Sequence, residues 1–87
     1  MPIIFKENIT FLENIVGIEE AEELLKWLET HKEGAVDLSN CSHLHTAIVQ
    51  ILMVARNPVI QLPTNAQLAL WLRTAFQDYL KENKGEL

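Results

Sequence analysis

The sequence predicts an α/β fold: one small domain spanning residues 1–87, with elements in the order β-β-α-β-α-β-α and a mixed sheet covered by helices. Three observations carry this reading. Short runs rich in β-branched and aromatic residues recur at Ile3-Ile4-Phe5, Ile9–Leu12, Ala35–Leu38 and Val59–Leu62. Between and after the later runs stand longer stretches with helical spacing. Strands that alternate with helices imply parallel neighbours joined by right-handed crossovers, and 87 residues suffice for a single core.

Each element has a local reason. Lys6-Glu7-Asn8 has the polar character of a hairpin turn between the first two strands, and Pro2 stands where a strand edge tolerates proline. Ile9, Phe11 and Ile15 alternate with polar neighbours, which predicts a half-buried strand with those residues inward. From Ile18 to Lys32 the period changes: Ile18, Ala21, Leu24, Leu25 and Leu28 fall on one face of a helix. Glu19, Glu20, Glu22 and Glu23 crowd its positive end, and His31 and Lys32 suit its negative end. Gly34 is expected to stop it with a left-handed backbone.

Ala35–Leu38 is the next strand, Ser39 to His45 a polar loop, and Thr46 to Arg56 a helix whose only polar interior residue is Gln50. Such a helix is expected to be buried on several sides. Asn57-Pro58 ends it. After Val59–Leu62 and Pro63, Thr64 and Gln67 fit a capping box with Thr64 as the cap. The last helix carries Leu68, Leu72, Ala75, Phe76 and Tyr79 along its inner stripe, with Trp71 expected in the core. Lys81, Lys84 and Gly85 close it, and Trp27 and Leu70 lie off the inner stripes of their helices.

Composition excludes several functions. A net charge of −5 with seven scattered Lys and Arg argues against nucleic acid, whose binders gather cations on one surface. Cys41 is the single cysteine, so no internal disulfide forms, and no secretory signal is visible in the first residues. The longest apolar run, Ile51 to Ala55, or Ala47 to Ala55 if Gln50 is allowed, falls far short of the roughly 20 residues that span a bilayer. These features lead to the expectation of a cytoplasmic chain without direct membrane insertion. The three glycines (Gly17, Gly34, Gly85) are isolated, so no phosphate-cradling loop exists and no cofactor is expected.

The chemistry-bearing residues gather in the loop before the second helix. Thr46 is placed to cap that helix, and as a phosphoacceptor it would bring nearly two negative charges to a helix start that favours anions. Cys41, His43 and His45 alternate, and a Cys-x-His-x-His segment offers ligands for zinc or copper, although three ligands within five residues strain to close a tetrahedron. The blander reading keeps Cys41 inward as a small hydrophobe and the histidines on the surface. Nucleophilic catalysis has no orienting third group beside the Cys-His pair, so no enzyme is expected. The run Glu19 to Glu23 reads as a solvated first turn.

An apolar strand ending Asp37-Leu38-Ser39, a short loop, a hydroxyl residue and an apolar helix together resemble the STAS domain. That family includes anti-sigma-factor antagonists, sulfate-transporter tails and small subunits of bacterial lipid-transport complexes. Many members end the loop Asp-Ser-Ser-Gly or Asp-Thr-Ala-Gly, and its Ser or Thr is a kinase target. Here His45-Thr46-Ala47-Ile48 takes that place: Thr46 matches the hydroxyl, while His45 and Ile48 stand where the family has Asp and Gly. The resemblance covers the element order from about Ile9 to Leu80. It implies a non-catalytic interaction module that binds a kinase-like or anti-sigma-like protein through Ser39, Ser42, His43, His45 and Thr46, switched by phosphorylation of Thr46. An accessory subunit of a bacterial membrane transporter is the alternative, and a metal- or ligand-binding protein using Cys41, His43 and His45 is the alternative from another class. Pairing with a second copy stays open.

Overall fold

In the computed structural model of the chain, the described residues are 2–84, with side chains through residue 77. The expected roles of Tyr79, Lys81, Lys84 and Gly85 lie outside the described residues and side chains. Strand β1 (Ile3–Lys6) pairs antiparallel with β2 (Ile9–Leu12) across a two-residue turn, Glu7-Asn8, in which Glu7 takes a positive φ of 28°. Strands β4 (Ala35–Asp37) and β6 (Val59–Gln61) extend the sheet in parallel, giving the order β1-β2-β4-β6. Helix α1 (Ala21–Thr30) crosses from β2 to β4, α2 (Thr46–Ala55) from β4 to β6, and α3 (Ala66–Lys84) follows β6. The expected mixed α/β sheet is therefore present.

Because the parallel strands advance in one direction across the sheet, right-handed crossovers put both connecting helices on the same side. The core sits between that side and the helices. Leu12, Val36 and Leu38 meet Leu24 and Leu28 of α1, Ile48, Val49 and Leu52 of α2, and Leu72 of α3 in one buried cluster. Thr10 is also fully buried, its hydroxyl donating to the Ile4 carbonyl at 3.3 Å. The expected inward face of β2 is thus reversed. Leu12 and Thr10 point to the helices, whereas Ile9 and Phe11 are half-buried on the other face and Ile15 is exposed. A four-residue strand with an apolar residue at three positions has no unique inner face until its partners choose one.

Two further strands were not expected. Asn14, at φ 58°, turns the chain out of the main sheet, a conformation Asn tolerates well. The chain then forms β3 (Asn14–Val16), which pairs in parallel with β5 (Cys41–Leu44). A short 3-10 turn, Ile18–Glu20, precedes α1, so the regular helix is shorter than expected and Ile18 is 54% exposed.

The end of α1 departs from expectation in its mechanism. Gly34 has no positive φ. It is glycine because a Cβ there would lie 2.6 Å from Trp27 Cη2 and 3.0 Å from the His31 carbonyl oxygen. Trp27, expected off the stripe, packs against the core and stacks between Phe5 (5.6 Å between centroids) and His31 (4.3 Å). Buried Asn57 ties this corner to the end of α2: its Nδ2 donates to the His31 carbonyl at 2.8 Å and the Gly34 carbonyl at 2.9 Å. The left-handed residue that closes a helix is Arg56, φ 61°, at the end of α2. Helix α2 is apolar but not enclosed, since Gln50 and Val54 are exposed. No helix among the described residues is long and apolar enough to cross a membrane.

Candidate functional site

The segment read as a polar loop, Ser39 to His45, begins with a turn and becomes strand β5. Asp37 fixes the turn: its Oδ1 accepts from the Ser39 backbone N–H at 2.9 Å and from the Ser39 hydroxyl at 2.6 Å. The Ser39 carbonyl in turn accepts from the Thr64 N–H and hydroxyl. Ser39, expected at the contact surface, is a half-buried joint between two loops. Cys41 then pairs with Asn14, His43 with Ile15 and Leu44 with Val16; an irregularity after Asn14 leaves Ser42 as the extra residue, its hydroxyl donating to the Asn14 carbonyl at 3.1 Å. That bulge breaks the period-two alternation, which is why the strand reads as a loop.

The bulge sorts the Cys-x-His-x-His side chains apart. Cys41 is 3% exposed and belongs to the core, its thiol donating to the Asn14 and His43 carbonyls at 3.6 and 3.5 Å, while His43 and His45 are exposed. Burial pushes the Cys41 thiol above its ordinary pKa, with the backbone hydrogen bond at His43 pulling the other way. A protonated, enclosed thiol is a poor nucleophile and a poor metal ligand. Among the described residues no three His, Cys, Asp or Glu side chains come together in a way that could hold a metal. The structure therefore does not bring the side chains of Cys41, His43 and His45 together.

The start of α2 is corrected. His45, not Thr46, is the N-cap: its Nδ1 accepts from the Ala47 N–H at 3.0 Å. An accepting Nδ1 places the imidazole proton on Nε2. His45 also donates its backbone N–H to the Val16 carbonyl at 2.9 Å, continuing the β3–β5 pairing into the helix. A ring nitrogen two bonds beyond Cβ reaches the Ala47 N–H as an Asp carboxylate would, so His45 fills the capping geometry its sequence position requires. Thr46 becomes the first helical residue, exposed, and its hydroxyl makes no hydrogen bond among the described residues.

Four of these residues meet four that the sequence reading did not place here. Ser42, His43, Leu44 and Thr46 line an open depression of about 370 Å³ together with Asn65, Gln67, Leu68 and Trp71 from the start of α3. Helix α3 is aimed there by Asn65, whose Oδ1 accepts from the Leu68 N–H at 2.9 Å. Asn65 is the cap that had been assigned to Thr64, which instead bonds Ser39. Trp71, expected in the core, is 45% exposed. Ile15, exposed and in register with His43, continues the apolar surface outward. The lining carries no Asp, Glu, Lys or Arg, and neither helix has an acidic residue in its first turn. The Asn65 signal was present, since Asn three residues before Leu68 is as good a cap as Thr. The exposure of Trp71 was not, because it depends on how α3 rolls against α2.

Comparison with protein-family models, with curated proteins and with solved structures gives no match.

Proposed function

We propose that this chain is a non-catalytic protein-interaction module of the STAS type, binding a cytoplasmic protein partner through the edge formed by β5, the start of α2 and the start of α3. The single observation that carries the reading is the pairing of a half-exposed Trp71 with the exposed Thr46 and His43 around one depression that no Asp, Glu, Lys or Arg lines. Exposed tryptophans in partly apolar depressions are the residues that anchor protein interfaces, where a few side chains supply most of the affinity. The resemblance of the strand-hydroxyl-helix segment to STAS regulators supports the same edge, with Thr46 as the residue a kinase-like partner would modify.

A phosphate on Thr46 would find the positive end of α2, with no carboxylate of its own first turn to oppose it. The same charge would stand beside Leu68 and Trp71 and break an apolar contact made there. Modification would thus be tolerated by the fold and rejected by the partner. The test is affinity capture from lysate of the native cell with the unmodified chain, Thr46→Glu and Trp71→Ala. The expected result is a partner retained by the unmodified chain and lost from both variants. A partner retained by both variants would refute the edge as the binding site.

A further inference from the structure

Among the described residues, the second face of the main sheet carries no helix. Three of its four strands run parallel, and parallel sheets are ordinarily covered on both faces. β6 adds exposed Ile60, next to core-packed Val59, at one edge of this face; the other three strands carry Ile4 and Lys6 of β1, Ile9 and Phe11 of β2, and Ala35 and Asp37 of β4. Each of these last six alternates with a residue of the core side: Ile3, Phe5, Thr10, Leu12 and Val36. None of the six belongs to the core cluster or to the residues packed against it. Ile4 is 38% exposed, Lys6 is exposed, and the other four are half-buried. Lys6 leans over this face, its Nζ 5.9 Å from the centre of the Phe11 ring.

The register gives the face an internal symmetry. Lys6 pairs with Ile9, which pairs with Ala35; Ile4 pairs with Phe11, which pairs with Asp37. The six residues therefore form two rows of three. Lys6 and Asp37 occupy one diagonal, Ile4 and Ala35 the other, and Ile9 and Phe11 the centre. A two-fold axis lying in the plane of the face along the Ile4–Ala35 diagonal lays Lys6 of one copy over Asp37 of another, and Asp37 over Lys6. The strands of the two sheets then cross near right angles, one of the two ways sheets stack face to face. An isologous interface must be self-complementary in this manner, and the face carries one cation and one anion in the required places.

We propose that the helix-free face is the interface of a homodimer in which Ile9 and Phe11 form the apolar centre, Ile4 flanks it, and two reciprocal Lys6–Asp37 pairs set the crossing angle. Only six side chains a copy take part, so the patch is smaller than the roughly 800 Å² per partner of a stable complex. An interface this small is weak, so association is to be sought up to about 1 mM. The face lies apart from the depression lined by Trp71, so this interface does not depend on the partner proposed for that edge.

Sedimentation equilibrium from 10 μM to about 1 mM tests it. The expected result is a monomer–dimer equilibrium that Lys6→Asp and Asp37→Lys each weaken at least about tenfold. An equimolar mixture of those two variants is expected to regain the dimer, because each new pair then joins opposite charges. Phe11→Ser should abolish the dimer while leaving the melting temperature near that of the unmodified chain. Asp37→Lys also removes the acceptor for Ser39; if it does not fold, Lys6→Asp and Phe11→Ser decide the matter alone. A chain that stays monomeric at 1 mM, or a dimer indifferent to Lys6→Asp and Phe11→Ser, overturns the proposal.

Discussion

Trp27 and Trp71 stand at opposite ends of the parallel strands, and their surroundings differ in nearly every respect. Trp27 lies before β4, stacked between Phe5 and His31, over a glycine that leaves room for its ring. The carbonyls around it are bonded by buried Asn57. Trp71 lies beyond the other end of β4, half-exposed, beside hydroxyls and amides that line an open depression. One end of the sheet is closed by its own side chains. The other holds a half-exposed aromatic ring with polar groups around it. Stability should therefore be concentrated at Trp27 and binding at Trp71.

Substitutions should separate the two ends. Trp27→Ala has the largest expected effect, about 2–4 kcal/mol of lost stability in chemical denaturation, since it empties a stacked, partly buried site. A loss under about 1 kcal/mol would mean the corner is looser than its stacking distances indicate. Asn57→Ala should cost about 2–3 kcal/mol, because the His31 and Gly34 carbonyls lose their shared donor. At the open end, His45→Ala removes the cap of α2 and should cost about 1 kcal/mol, with His45→Asn recovering most of it. If His45→Asn is no better than His45→Ala, the imidazole acts there as something other than a cap.

Cys41 gives a smaller effect beneath the same edge. Its folded pKa is raised by burial, so the unfolded chain loses the thiol proton first as pH rises. The associated stability is complete below the ordinary thiol range, about 8.5, and declines as pH climbs from there toward the folded value. Urea denaturation of the unmodified chain and Cys41→Ala between pH 7 and 10 should show an extra fall above pH 8.5 in the former alone. Parallel curves would place the thiol in water.

Much of the fold was legible because it rests on short-range signals. The mixed sheet with parallel neighbours, the helix that Leu24 and Leu28 anchor, and the strand beginning at Ala35 follow from periodicity, turn chemistry and the handedness of crossovers. What escaped depends on partners distant in sequence. Strand β5 is a strand only because Asn14 turns β3 alongside it, and its bulge hides the alternation. Gly34 was read for backbone freedom, whereas its missing Cβ makes space for a ring seven residues earlier. Of the expected site, Ser42, His43 and Thr46 line the depression, His45 caps the helix beneath it, and Ser39 is structural. The half contributed by α3 was invisible, because no local pattern tells which side of an amphipathic helix rolls outward at its first turns.

Partner binding by folded Trp71→Ala tests the open edge most directly. Folded Trp71→Ala is expected to keep a stability within about 0.5 kcal/mol of the unmodified chain, as for a surface substitution. Its affinity for the partner captured by the unmodified chain is expected to fall at least about tenfold. Full affinity in a folded Trp71→Ala, or unfolding of the chain by that change, would contradict the binding role of that edge.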